Sequence, residues 1–342
     1  MFHFDRGLKL TKGDLAVDMR RRQPRGFVSH AHADHMARHE FVLCTPETGK
    51  LYDFRYGGRT GMMRDLPYRR PLDFGGLRLT TYPAGHCLGS AMLLAEDGES
   101  SLLYTGDFKL GPSATAERAE LPKADVLVIE STYGNPFYRH TPRAEALEQL
   151  FTLVRHTLER GCTPVVHAYI LGKAQEITKL LTGEGFAVVQ HPKIYAVSLV
   201  YRACGVDLGD VHLYPGYAPP GHVVIVPPTM HRSSRLPGLR RCVTFAVSGW
   251  AMHAGTRGRL GVDHAIAISD HADYDELLEA VERVGARAIY CTHGPESFVD
   301  CLREAGLNAY PLDGRREERR RLQPCQKRLF LNAAFGSGRS EI

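Results

Sequence analysis

The sequence predicts an α/β fold in which one domain, split along the chain, carries an inserted unit with its own small parallel sheet. Three observations predict it. Apolar runs that stop abruptly at histidine, aspartate or glutamate occur near both ends of the chain and are sparse in the middle. The middle instead alternates helix-period and strand-type segments. The length, 342 residues, is enough for two domains and a substantial core.

The first run, residues 27–29, reads as the end of a buried strand feeding a histidine-rich loop. Residues 77–82 alternate as a strand and end at Pro83-Ala84-Gly85-His86. Residues 102–105 end at Gly106-Asp107, and residues 126–129 at Glu130. Loops after strand C-termini converge on one edge of α/β-type sheets, which is where chemistry is placed. After Tyr138 the pattern changes. Residues 143–159 and 173–182 have helical periodicity, and residues 163–167, 186–190, 223–226 and 243–247 read as strands. From about Thr256 the first style returns. A strand at 265–269 ends at Asp270-His271, a helix spans 274–284, and a strand at 287–291 ends at Thr292-His293. The expected division is 1–137 and 256–342 for the split domain and 138–255 for the insertion. The charged tail after Arg315 reads as a solvated element.

Composition excludes several classes. Hydrophobic residues make up 43% and charged residues 24%, which is ordinary for a globular chain. No apolar run reaches the roughly 18 residues that span a bilayer. The opening Met1-Phe2-His3-Phe4-Asp5-Arg6 lacks a basic stretch followed by an apolar one, so a cytoplasmic location is expected. None of the eight cysteines forms a Cys-x-x-Cys pair, which excludes zinc-ribbon and thioredoxin readings and leaves reduced packing residues. A net charge of +5 is compatible with a polyanionic partner without demonstrating one.

The strongest local signal is Ser29-His30-Ala31-His32-Ala33-Asp34-His35. His30 and His32 are two apart, so an extended or loop backbone can aim both at one point. Asp34 and His35 can reach a second point nearby. Imidazole and carboxylate suit Zn²⁺ or Mn²⁺.

This His-x-His-x-Asp-His run resembles the signature of the metallo-β-lactamase superfamily. The resemblance implies further positions, and they are present in chain order: Gly85-His86, Thr105-Gly106-Asp107, and His293. Within the superfamily the chain resembles the β-CASP branch of nucleases, which includes Artemis and the mRNA 3′-end cleavage factors. Glu130 in Val-Ile-Glu-Ser-Thr-Tyr-Gly matches that branch's acidic motif A. His271 in Ile-Ser-Asp-His-Ala-Asp-Tyr matches motif B, and His293 in Cys-Thr-His-Gly-Pro-Glu matches motif C. The segment from Tyr169 to Glu176 resembles the loop opening the inserted domain's first strand-to-helix unit.

The resemblance implies an αββα sandwich with an inserted β-CASP domain, and two divalent ions, Zn²⁺ or Mn²⁺. One would bind His30, His32, His86 and Asp107. The other would bind Asp34, His35, His293 and the shared Asp107. Asp18 would support the site from behind, with Asp14 as a neighbouring alternative. Two metals about 3.5–4 Å apart lower the pKa of water toward about 7 and neutralise phosphate oxygens. His271 would donate the leaving-group proton and Glu130 would orient it, with Asp34 also in the reacting set.

Gly172 and Lys173, at a helix N-terminus, are candidate phosphate contacts, with Arg232 and Ser233 as weaker ones. His293 at motif C suits RNA-cleaving members. Overall likeness is to bacterial exonucleases associated with an ATP-dependent DNA ligase and a helicase. The expected partner is therefore nucleic acid, single-stranded DNA before RNA, cut from a 5′ start. Rival readings are a small-molecule hydrolase, which would lack the insertion and the Glu130/His271 pair, and a scaffold that has lost its metals.

Overall fold

The computed structural model describes residues 1–58, 61–228, 239, 241–253 and 255–312. The expectations for Arg232, Ser233 and the charged tail lie outside the described residues.

Two sheets face each other. The first runs, in spatial order, β1 (Phe2–Phe4), β2 (Leu8–Leu10), β3 (Leu15–Val17), β4 (Arg25–Phe27), β5 (Phe41–Cys44) and β6 (Met62–Asp65). The second contains β7 (Leu72–Phe74), β8 (Leu77–Pro83), β9 (Ala91–Glu96), β10 (Ser101–Tyr104) and β11 (Val126–Glu130), continued by β18 (Ala288–Thr292) and β19 (Ala309–Pro311). Side chains alternate across each strand, so each strand serves two layers. Leu43, Leu102, Tyr104 and Val128 point between the sheets, where they join Leu15, Phe27, Leu79 and Leu93. Their neighbours Leu103, Leu127 and Ile129 point the other way. There they pack under Leu277 and Val281 of the helix Tyr274–Val284 and Phe298 and Leu302 of the helix Glu296–Glu304. Val42 and Cys44 meet Leu51 and Tyr52 of helix α1 (Pro46–Tyr56) on the far side of the first sheet.

The second sheet closes the split in the chain. β11 pairs in parallel with β18, with Glu130 opposite Thr292. β10 pairs in parallel with β11. Three neighbouring strands therefore end on the same edge, and each is followed directly by the ligand-type residues the sequence singled out.

A third sheet is parallel throughout. Its order is β14 (Val211–Leu213), β13 (Ala187–Gln190), β15 (His222–Val226), β12 (Thr163–His167), β16 (Cys242–Val247) and β17 (His264–Ile266). Helices α2 (Arg143–Glu159), α3 (Lys173–Gly183) and α4 (Pro192–Ala203) flank it. Its core is continuous with the layer under α1, because Leu51, Tyr52, Ile177, Ile194 and Ile225 belong to one buried cluster.

The helices expected at 143–159 and 274–284 form with those bounds. The strand expected at 265–269 forms as β17 and pairs with β16, so the third sheet extends beyond residue 255. Helices α1 and α4 were not legible from apolar periodicity. Their signal is at the N-terminus: Thr45-Pro46 and His191-Pro192 each place a capping side chain before a proline, whose fixed φ suits a first helical turn. Among the described residues no helix is long and apolar enough to cross a membrane, and none of the seven described cysteines is in a disulfide.

Leu93 is fully buried between the two facing sheets. Leu93→Ala is expected to cost about 2–5 kcal/mol of stability. It should lower the urea midpoint without changing the slope. A midpoint equal to wild type would show that this layer is not the core it is described as.

Candidate metal centre

Glycines set the aim of two ligand-type residues. Gly106 has φ +55°, and a Cβ there would stand 2.9 Å from Ser29 Oγ, so only glycine lets the chain turn Asp107 back toward the histidine loop. Gly85 has φ +78°, and its Cβ would stand 2.2 Å from the Lys109 carbonyl. His86 follows it. Asp18 and His293 are themselves left-handed, at φ +48° and +58°. Non-glycine residues held in that region mark sites where the surrounding structure over-determines the backbone.

Three imidazoles meet at one point. His30 Nε2 lies 3.0 Å from His32 Nδ1, and His86 Nε2 lies 3.1 Å from the same atom. The other nitrogen of each ring faces an oxygen. His32 Nε2 donates to the Leu171 carbonyl at 3.1 Å, and His86 Nδ1 to the Asp270 carbonyl at 2.9 Å. His30 Nδ1 donates to Ser29 Oγ at 2.9 Å, and that hydroxyl donates to Asp18. With the N–H groups used outward, the three nitrogens that face each other carry lone pairs. Lone pairs this close repel unless a cation sits between them. Ligands about 2.0–2.1 Å from a tetrahedral Zn²⁺ stand roughly 3.3 Å apart, close to the spacing seen here. Burial, followed by the charges of His35 and His32, lowers the pKa of His30 well below the usual range. Burial and His271 push His86 down to about 3. Both effects keep these rings in the neutral form that binds metal.

Asp107 Oδ2 lies 3.5 Å from His30 Nε2, 3.9 Å from His86 Nε2 and 3.3 Å from His35 Nε2. It is therefore placed between two clusters, His30, His32, His86 on one side and His35, His293 on the other. Asp34 stands at the rim. Its carboxylate is half exposed, 4.0 Å from His35 Nε2 and 3.6 Å from Arg20. Asp18 is the anchor behind the site. It accepts hydrogen bonds from the Ser29 amide and hydroxyl, from His35 Nδ1 at 2.8 Å and from the Tyr104 hydroxyl at 2.8 Å. Burial alone would lower the pKa of His35, but Asp107 and Asp18 outweigh it and raise it well above the usual range. A metal ion would satisfy the same negative charge. Asp14 is exposed and takes no part in these contacts.

Glu130 is buried and accepts from the Phe108 amide at 2.7 Å and the Thr132 hydroxyl at 2.6 Å. It also lies 3.0–3.2 Å from His271 Nδ1. Burial would lower the pKa of His271. The Glu130 and Asp107 carboxylates reverse this and raise it to about 10.

Lys173 is buried, not a surface lysine. Its ammonium has no hydrogen-bond partner and stands 3.4 Å from Asp270 and 3.7 Å from Glu176. The Gly172 N–H is already taken by Gln175 and the Ala174 N–H by the Tyr169 carbonyl. The helix start therefore offers mainly the ammonium to an anion, rather than the row of free N–H groups the sequence suggested.

Lys173, His32, Asp107 and His271 line one cleft of about 980 Å³ with Tyr169 and Trp250 at its walls. Asp270, Ser29, Tyr104 and the Leu171 carbonyl were not assigned site roles from sequence. Asp270 and Ser29 adjoin the motifs. Leu171 lies in the loop segment 169–176, and Tyr104 alone gave no signal, because it acts only through Asp18, a distant residue brought near by folding.

A family model described as a Zn-dependent metallo-hydrolase RNA specificity domain matches residues 259–310. The chain is 37% identical over 315 residues to a probable DNA ligase of Opitutus terrae, covering 90% of this chain and 31% of that protein. It is 40% identical over 131 residues to the endoribonuclease YSH1 of Mycosarcoma maydis, covering 38% of this chain and 14% of the relative.

The chain matches the β-CASP branch of the metallo-β-lactamase nucleases.

A transcription termination factor FttA of Pyrococcus abyssi is 34% identical to this chain over 226 residues, 56% of the chain and 34% of the relative. The chain thus spans about a third or less of each of these relatives. A crystal structure of a protein of unknown function from Enterococcus faecalis superposes with a TM-score of 0.52 at 15% identity. That match covers 79% of this chain and 75% of the other, a likeness of fold.

Asp18→Asn keeps the size of the anchor but not its charge or its capacity to accept from four donors. Losing such support behind metal ligands is expected to weaken divalent-metal binding about 10–100-fold. Competition with a chromophoric chelator measures this directly. Unchanged affinity would remove Asp18 from the site.

Proposed function

We propose that this β-CASP protein is a metal-dependent nucleic-acid phosphodiesterase, built as an αββα sandwich with the third sheet as the inserted domain. The observation that carries the reading is the set of inward-facing lone pairs of His30, His32 and His86 beside Asp107, at the edge of a cleft that also holds a Glu130-backed His271. The proposed ligands are His30, His32, His86 and Asp107 for one ion and His35, His293, Asp34 and Asp107 for the other. Zn²⁺ fits these donors and Mn²⁺ is the proposed alternative for turnover. Divalent ions held there supply an acidified water and neutralise charge on a phosphodiester.

The chain's own residues do the rest. Glu130 accepts a hydrogen bond from the Nδ1–H of His271, which favours the protonated ring and leaves the Nε2–H to give its proton to the leaving oxygen. Lys173, an ammonium without a hydrogen-bond partner in the cleft, would take a phosphate oxygen. The close approach of the Tyr169–Lys173 turn to His32 keeps bulk water away from that side of the cluster.

The favoured substrate is single-stranded DNA, degraded from a 5′ end during repair in the cytoplasm, in company with a DNA ligase and a helicase. The similarity to a probable DNA ligase over 90% of the chain favours it. RNA processing is the second reading, favoured by the RNA specificity model at residues 259–310 and the endoribonuclease relatives. A small-molecule hydrolase would have no use for the third sheet or the Glu130–His271 pair.

Matched DNA and RNA strands labelled at either end decide between the two and give the polarity. Cleavage should require Mn²⁺ or Zn²⁺, stop with chelator, and be lost in Asp107→Ala. An Asp107→Ala protein that digests every substrate at the wild-type rate would end the proposal. His271→Ala should lower kcat by about 10²–10⁴ while metal content stays at the wild-type level. Equal kcat would transfer the proton-donor role elsewhere.

A further inference from the structure

A second cleft, of about 990 Å³, opens on the His293 side of the cluster. The first cleft reaches the cluster from the side of His32 and His271. Asp34 and Trp250 line both, so the two meet at the reaction centre. A strand laid in the first cleft across the cluster would continue into the second.

The second cleft is edged by Arg6, Lys9, Arg20 and Arg21, contributed by the β1–β2 turn, β2 and the β3–β4 loop. Not all of that charge is free. Arg6 pairs with Asp5 at 3.5 Å, and Arg20 with Asp34 at 3.6 Å. Asp18 faces this cleft but is already occupied by its donors from Ser29, His35 and Tyr104. Lys9 and Arg21 form no ion pair among the described residues. They are the uncompensated cations of the cleft. Trp250, 37% exposed at the junction, presents an aromatic surface of the kind on which unpaired bases stack.

We propose that the second cleft seats the nucleotides beyond the phosphate under attack, with Lys9 and Arg21 contacting their backbone. The proposal rests on the nuclease reading above and adds to it a surface on the N-terminal sheet. The occupant is a nucleic-acid strand because the feature is a polyanion's counterpart: an open groove with two unpaired cations, continuous with a phosphodiester site.

The test compares two substrates with added Mn²⁺. One is a single-stranded oligonucleotide long enough to fill both clefts. The other is bis(p-nitrophenyl) phosphate, a phosphodiester with no strand to occupy the second cleft. In Lys9→Gln/Arg21→Gln, the ratio of oligonucleotide to small-diester kcat/KM is expected to fall about tenfold at low salt. The dependence of log kcat/KM on log salt should become shallower by about 1–1.5, since each phosphate contact to a single strand contributes about 0.7. Lys9→Glu/Arg21→Glu should lower the ratio further. A ratio and a salt slope equal to wild type in both variants overturn the proposal. Failure of the wild type to cut any oligonucleotide, while it hydrolyses the small diester, overturns the nuclease reading itself, and this surface with it.

Discussion

The parallel pairing of Val126–Glu130 with Ala288–Thr292 is the constraint on which the rest of the molecule depends. It joins two stretches of chain that the third sheet separates. It places Glu130 opposite Thr292 and so carries His293 to the same edge as Asp107. The pairing is buried on both faces, by Val128 between the sheets and by Leu127 and Ile129 beneath the C-terminal helices. A one-residue slip would exchange those faces and would move Glu130 away from His271. Register and chemistry are thus held by the same apolar alternation.

The cluster at that edge is built from outside inward. Four rings that point a nitrogen at the centre, His30, His32, His86 and His35, have the other nitrogen tied to an oxygen: Ser29 Oγ, the Leu171 carbonyl, the Asp270 carbonyl and Asp18 in turn. These ties select the tautomer and stop the ring from turning, which is how outer groups tune metal ligands. One tie comes from the turn that opens the third sheet's helix α3. The unit built on the third sheet is therefore part of the histidine site as well as a wall of the cleft. Lys173 in the same turn is held buried beside Asp270 and Glu176, with Arg143 adding a second cation to Glu176 at 2.7 Å. The ammonium makes no hydrogen bond to either carboxylate, so its N–H groups are left to donate to a ligand oxygen.

The same logic separates the two cations that serve structure from the two that remain for a partner on the N-terminal side. Arg20 spends its charge on Asp34, steadying a carboxylate at the rim of the cluster. Arg21, next in the chain, is left to the groove. Adjacent arginines thus divide between holding the site and extending it.

The sequence alone determined the ligand types and their order. His30, His32, His86, Asp107 and His293 each follow an apolar strand or a glycine, and that local grammar is legible because strand ends and left-handed turns restrict which residues fit. The all-parallel middle sheet and the long helices 143–159 and 274–284 were equally legible, since their apolar periods are strong. What only the tertiary structure decided depends on residues far apart in the chain. No local pattern says that His32 leans on the Leu171 carbonyl, that Tyr104 reaches Asp18, or that Lys173 is buried. Nor does any local pattern place β17 in the third sheet or bring Lys9 and Arg21 to one groove. These arise from packing between sheets, and packing is a property of surfaces that exist only once the chain has closed.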